Sequence, residues 1–302
     1  MPEQIWKPDS GDFSYITLDE LRAEDVSDDY IDDARARAFI RNMSQWVNRL
    51  TRQWFMPTRL QERLDAHGSS IVAAPYFIPI LRLDYVRISK PSLVLLTLPS
   101  TSWERYDRYV SMLDPRAFLP PQPRFIELDG VFGWLEDDYY KEEMLLTADV
   151  PKGSIHIPVN NIPETIEVGD VILIGDDVWP QSVPREIKAI DTGPSRFLVE
   201  PTSVTVLENS KVTRFGRIPY LIKRATMLLI LDKGEQLGWA DLECPPWFTK
   251  RLTNESVEGY SYGLRPLPVD YGPGGGEFTT GNPEVDDILQ QYSSNRLYIG
   301  VV

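Results

Sequence analysis

SDDYIDDARARAFIRNMSQWVNRLTRQWF, residues 27–55, decides how the rest of this chain is read. Apolar residues recur at Ile31, Ala34, Ala38, Phe39, Met43, Trp46, Val47, Leu50 and Trp54. Steps of three and four place them on one side of a 3.6-residue turn, so the stretch predicts one long amphipathic helix with a wide buried face. Ser27 is positioned to cap its start, and Asp28, Asp29, Asp32 and Asp33 crowd the positive end of the helix dipole. Arg35, Arg37, Arg41, Arg49 and Arg52 follow toward the negative end, and Pro57 stops the helix.

Upstream, Thr17 and Glu20 have the spacing of a capping box that opens a short helix through about Ala23, giving an αα unit. After Pro57 the period shortens. Residues 70–74, 78–83, 84–89, 93–98, 103–113 and 124–134 read as strands, the last broken around Gly130, with the prolines of 115–123 as a loop. Residues 154–159, 170–174, 186–190, 196–199 and 203–207 are short and evenly spaced, punctuated by Gly169, Gly175, Pro184, Gly193 and Pro201. That spacing suggests a small closed or half-open barrel inserted as its own module. Helical signals return at Pro219, and from Ala225 to Leu231 the pattern is apolar all round, which requires cover on several sides. Asn282 and Pro283 cap a short helix before an apolar end.

The expected class is therefore α+β: a helical core of the long N-terminal helix plus the later helix, with a β-sheet element and an inserted small β-barrel-like module. The divisions are 1–58 (arm and helices), 59–150 (β-rich), 151–216 (inserted module), 217–250 (returning helix) and 251–302 (loop and carboxyl-terminal docking arm).

Composition narrows function. With 302 residues, 42% hydrophobic and 25% charged, the chain is an ordinary globular one. A formal net charge of −14 argues against nucleic-acid binding, whose affinity comes from Lys and Arg displacing counterions. The single Cys244 precludes an intrachain disulfide, and only His67 and His156 supply imidazole. A nucleophilic triad is not expected, His67 falling in a turn and His156 facing solvent from a strand. The acidic runs at 136–138, 142–143 and 176–177 lack metal-ligand spacing, and Gly272 to Gly276 lacks the Lys-Ser/Thr of a phosphate loop. No cofactor or metal is expected. The opening residues are polar, which points to synthesis in the cytoplasm, and the apolar run 227–231 is too short to span a bilayer. The arginines of the long helix are better suited to ion pairs between subunits than to DNA.

The order of segments resembles the head-to-tail connector, or adaptor, proteins of tailed bacteriophages. It is carried by Tyr15-Ile-Thr-Leu-Asp-Glu-Leu21, Arg49-Leu-Thr-Arg-Gln-Trp-Phe55, Arg63-Leu-Asp-Ala-His-Gly-Ser-Ser70, the helix opening at Pro219, the Glu255-to-Tyr262 segment and Pro283-Glu-Val-Asp-Asp-Ile-Leu289. The resemblance implies a structural virion protein and not an enzyme: a homo-oligomeric ring, commonly of about twelve subunits, between the portal vertex of the head and the neck or tail. Such a ring is made in the host cytoplasm, touches no membrane, and lets DNA pass without specific binding. Its partners are the portal protein and a downstream neck or tail protein. Leu297, Tyr298, Ile299, Val301 and Val302 match the portal-docking arm, while Arg41, Arg49, Arg52, Glu255, Tyr260 and Tyr262 are ring-interface candidates. Length and the β module depart from the pattern. The alternatives are a stopper or tail terminator, against which the long helix counts, and a virion-carried carbohydrate-binding or hydrolysing module drawing on Trp103, Trp134, Trp179 and Glu136.

Overall fold

The computed structural model describes residues 14–66, 71–74, 78–89, 95–113, 122–136, 142–175, 181–236, 280 and 282–293. These are mostly antiparallel β-sheet, in three sheets, with four short helices among the described residues. The expected helical core around a long N-terminal helix is thereby overturned: the chain is predominantly a β protein. Two compact units divide it, one of Met1–Arg52 with Tyr220–Val302 and one of Gln53–Pro219.

The first unit holds the helices α1 (Leu18–Ala23), α2 (Asp33–Thr51), α3 (Tyr220–Gln236) and α4 (Pro283–Tyr292). Thr17 and Glu20 form the capping box of α1 reciprocally, each side chain bonding the other's backbone N–H. Helix α2 is 19 residues long, shorter at both ends than the periodicity predicts. Its cap is Asp32, whose carboxylate accepts from the Arg35 N–H at 2.9 Å, not Ser27. The reason lies in Arg22. Its guanidinium donates to the Val26 and Ile31 carbonyls, each at 2.8 Å, and to Asp33 at 2.7 Å, so the 26–31 connection is held as a turn. At the other end Arg52 adopts the left-handed conformation, φ 54° and ψ 33°, and breaks the helix before Trp54 and Phe55. Those two aromatics are buried in the second unit.

Helix α3 is buried at every residue from 225 to 231. Ile230 and Leu231 share a core with Ile16, Leu21, Ala36 and Ile40. Polar ties hold this unit together across its long sequence gaps: Lys223 to Glu20 at 2.9 Å, Arg224 to Glu284 at 3.2 Å, and the Asn282 amide to Asp232 at 2.6 Å. Asn282 also caps α4, accepting from the backbone of Glu284 and Val285.

In the second unit the strands run β1 (Thr58–Ala66), β2 (Ile71–Ala73), β3 (Ile80–Ser89), β4 (Leu95–Thr97), β5 (Trp103–Arg105), β6 (Tyr109–Met112) and β7 (Gln122–Phe132). They continue as β8 (Glu143–Leu145), β9 (His156–Pro158), β10 (Asp170–Ile174), β11 (Val183–Asp191), β12 (Arg196–Val199) and β13 (Lys211–Arg217). One sheet has the order β1-β7-β3-β4 and another is the small β2-β6-β5. The six-stranded sheet, β8-β13-β10-β11-β12-β9, curls into a half-barrel, with Leu146 bridging Val159 between the segments beyond its two edge strands. Ile157, Ile172, Ile187, Phe197 and Val212 fill its interior.

Several strand readings are corrected. The separate strands read at 78–83 and 84–89 are the single β3, whose register on β7 slips twice, between Ile80 and Arg82 and between Leu83 and Tyr85. Strand β1, which the sequence reading passed over, has Glu62 standing between Leu60 and Leu64, so its apolar alternation is interrupted. Strand β13 was hidden by its basic residues, whereas 203–207 contributes only a bridge between Val206 and Val150.

Candidate interaction surfaces

At 100° per residue, Arg41, Arg49 and Arg35 project from α2 within an arc of about 120°. All three are exposed, as is Arg52 just beyond the helix end. The buried residues Ala36, Ile40, Ser44, Val47 and Thr51 occupy the opposite side, Ala36 and Ile40 packing in the core shared with α1 and α3. The charge along this part of the chain is sharply divided. Residues 18–33 carry eight carboxylates and one arginine, whereas residues 34–52 carry five arginines and no carboxylate. Asp25, Asp28 and Asp29 lie exposed before the helix. Asp33 is held below the ordinary carboxylate range by the hydrogen bond from Arg22. Two of the ring-interface candidates expected from the sequence, Arg41 and Arg49, thus share one face of α2, while Arg52 is the left-handed residue that ends the helix. Glu255, Tyr260 and Tyr262, and the arm residues Leu297, Tyr298, Ile299, Val301 and Val302, lie outside the described residues.

A second charged surface, which sequence reasoning missed, covers one face of the β1-β7-β3-β4 sheet. The register puts Arg63, Glu127 and Arg87 side by side on three neighbouring strands, and Gln61, Asp129 and Tyr85 in the next row. Glu127 is only 3% exposed, yet accepts from Gln61 at 2.8 Å, Arg87 at 2.8 Å and Arg63 at 3.0 Å. Burial pushes its carboxyl upward, but the hydrogen bonds from these three donors outweigh that and hold it below its ordinary value. Arg59 contacts Asp129 at 3.4 Å, Arg82 contacts Asp84 at 2.9 Å, and the Arg87 guanidinium lies 5.0 Å from the Tyr85 ring centroid. The available signal was the alternation of Arg59, Gln61 and Arg63 on one strand with Glu127 and Asp129 on another.

On the half-barrel, fully buried Asp170 accepts from Arg214 at 2.8 Å, Arg217 at 2.9 Å and the Glu167 N–H at 2.9 Å. Arg217 also pairs with the Glu167 carboxylate. The hydrogen bonds to Asp170, then to Glu167, raise the Arg217 pKa above its ordinary value. This is a structural clamp at the β13 terminus, each charge answered by a partner.

Trp134 stacks on Phe55 with 6.3 Å between centroids, and the Arg108 guanidinium covers its ring at 4.7 Å. Glu136 bridges the backbone of Arg217, and Glu143 pairs with Arg82 and Lys211. His156 is exposed. Among the described residues no three His, Cys, Asp or Glu side chains converge on a metal position, and no helix is long and apolar enough to cross a membrane. His67, Trp179 and the run at 176–177 lie outside the described residues. No protein-family model and no curated protein matches this chain.

Proposed function

We propose that the chain is a structural virion protein that assembles into an adaptor ring between the portal vertex of a phage head and the neck or tail. One observation carries this reading. Most of the segments that bear the sequence resemblance, those around Tyr15 and Arg49, the helix from Tyr220 and the segment at Pro283, fall in one unit although the β unit, which holds the Arg63 segment, intervenes between them in sequence. Tyr15 donates to Asn48, Lys223 reaches Glu20, and Arg224 reaches Glu284, so the resemblance follows a spatial grouping as well as a linear order. In this reading the ring passes DNA without gripping it, the residues from Leu297 onward reach the portal protein, and a downstream neck or tail protein docks on the opposite side.

Electron microscopy of particles from a phage carrying an early stop codon in this gene, beside the wild type, tests the proposal. DNA-filled or leaking heads separated from finished tails are the expected outcome. Complete tailed particles would overturn it.

A further inference from the structure

We infer that the β unit acts as a noncovalent staple for the helical unit. It holds the chain segments that lead out of α2 and into α3 side by side, so that these helices meet as though joined by a short loop. The device belongs to the fold of the single chain and holds whether or not copies form a ring.

The chain passes between the two units twice, at Arg52–Gln53 and at Pro219–Tyr220. Both ends of the β unit are fastened by one short segment that follows β7. The Trp134 N–H donates to the Trp54 carbonyl at 2.6 Å. Two residues on, Glu136 and Arg217 exchange backbone hydrogen bonds, at 2.8 Å and 2.9 Å, as an isolated antiparallel bridge. Packing fixes each end as well. On the entry side Phe55 is fully buried and stacks on Trp134, and a Cβ at Gly133 would stand 2.6 Å from the Met56 carbonyl oxygen. On the exit side the Arg217 guanidinium is held by fully buried Asp170 and by Glu167. Backbones paired in this way lie about 5 Å apart and two residues span about 7 Å, so Trp54 and Arg217 are held on the order of 10 Å from each other.

Loop closure supplies the consequence. With the β unit open, bringing α2 to α3 closes a loop of roughly 170 residues, whereas the path from Thr51 to Tyr220 through the clasp is about ten residues. Closure falls with about the 3/2 power of loop length, so the folded clasp favours the meeting of the helices by on the order of 50-fold. The dependence runs one way. Trp54, Trp134, Glu136 and Arg217 all belong to the β unit, so the clasp survives opening of the helices. The core shared by Ala36, Ile40, Ile230 and Leu231 loses its staple once the β unit opens.

The test follows the full chain through urea, amide by amide, by hydrogen exchange. Leu228 in α3 is 4% exposed and Leu128 in β7 is fully buried, so an aspartate at either position weakens the unit that holds it. Leu228→Asp is expected to lower the urea midpoint for the amides of Ile40 and Ile230 and to leave Trp134, Glu136 and Arg217 at the wild-type midpoint. Leu128→Asp is expected to bring down the midpoint of those three amides with the helix amides following, protection in the helices dropping about 50-fold where the clasp has opened. If Leu228→Asp moves both sets together, the molecule is one cooperative unit and the inference is overturned. Helix amides that keep their wild-type midpoint after Leu128→Asp has opened the clasp would overturn it too. Where an aspartate variant does not stay soluble, Leu228→Ala or Leu128→Ala takes its place under the same criteria. None of these outcomes bears on the stop-codon microscopy, so the adaptor reading stands or falls separately.

Discussion

Gly130 stands in the middle of β7, the strand that carries both β1 and β3, and it has no room for a side chain. A Cβ there would lie 2.3 Å from the Arg82 carbonyl oxygen, a backbone atom of the bulged strand β3. Sequence reading took the glycine as a break between strands; it marks a close approach of two backbones within continuous strand. Gly130→Ala is therefore expected to destabilise the β unit by about 1–3 kcal/mol, read from denaturant unfolding. On the same strand Glu127 makes a different demand. Its lowered pKa means that its contribution to stability is complete above the ordinary carboxylate range and is lost as pH falls through the lowered folded value. Replacing it as Glu127→Gln should flatten the acid limb of a plot of unfolding midpoint against pH. It should also cost stability at neutral pH, since Arg63 and Arg87 lose a shared carboxylate.

Among elements, the apolar period of residues 27–55 was real but did not define one helix. A guanidinium at its start and a left-handed residue at its end divide the pattern between a turn, α2 and the β unit. Such side-chain and dihedral events are not visible to periodicity, which registers only which residues face inward. The helix α3 was more legible, because an all-apolar run admits no exposed face: residues 225–231 are all buried. Leu228, 4% exposed, lies within this run. Leu228→Asp should cost at least about 3 kcal/mol, the lost leucine packing adding to the desolvation of a carboxylate. Chemical denaturation of the soluble fraction would measure it; a variant as stable as wild type would contradict the burial of this face. Strands β1 and β13 were obscured for the reverse reason. Their buried or half-buried arginines, Arg59 and Arg214, are neutralised across strands by Asp129 and Asp170, partners that are distant in sequence.

For the whole molecule, the sequence pattern indicated where strands dominate but understated how much of the chain they occupy. Antiparallel pairing such as β7 between β1 and β3 depends on partners many tens of residues apart, and no local window contains both. The arginine face of α2 was legible residue by residue, because helical spacing alone determines which side chains share an arc. The charged sheet face was not, because it exists only once three strands are in register. The proposed function rests on the segment order and on the grouping of α1 and α2 with α3 and α4 in one unit. That grouping bears on synthesis. Helices α1 and α2 leave the ribosome first, but their partners α3 and α4 follow only after the roughly 170 residues of the intervening unit, a delay of about ten to thirty seconds at about 5–20 residues per second. For that interval the apolar side of α2 has no α3 to receive it, so the nascent chain passes through a sticky state that a chaperone is well placed to shelter.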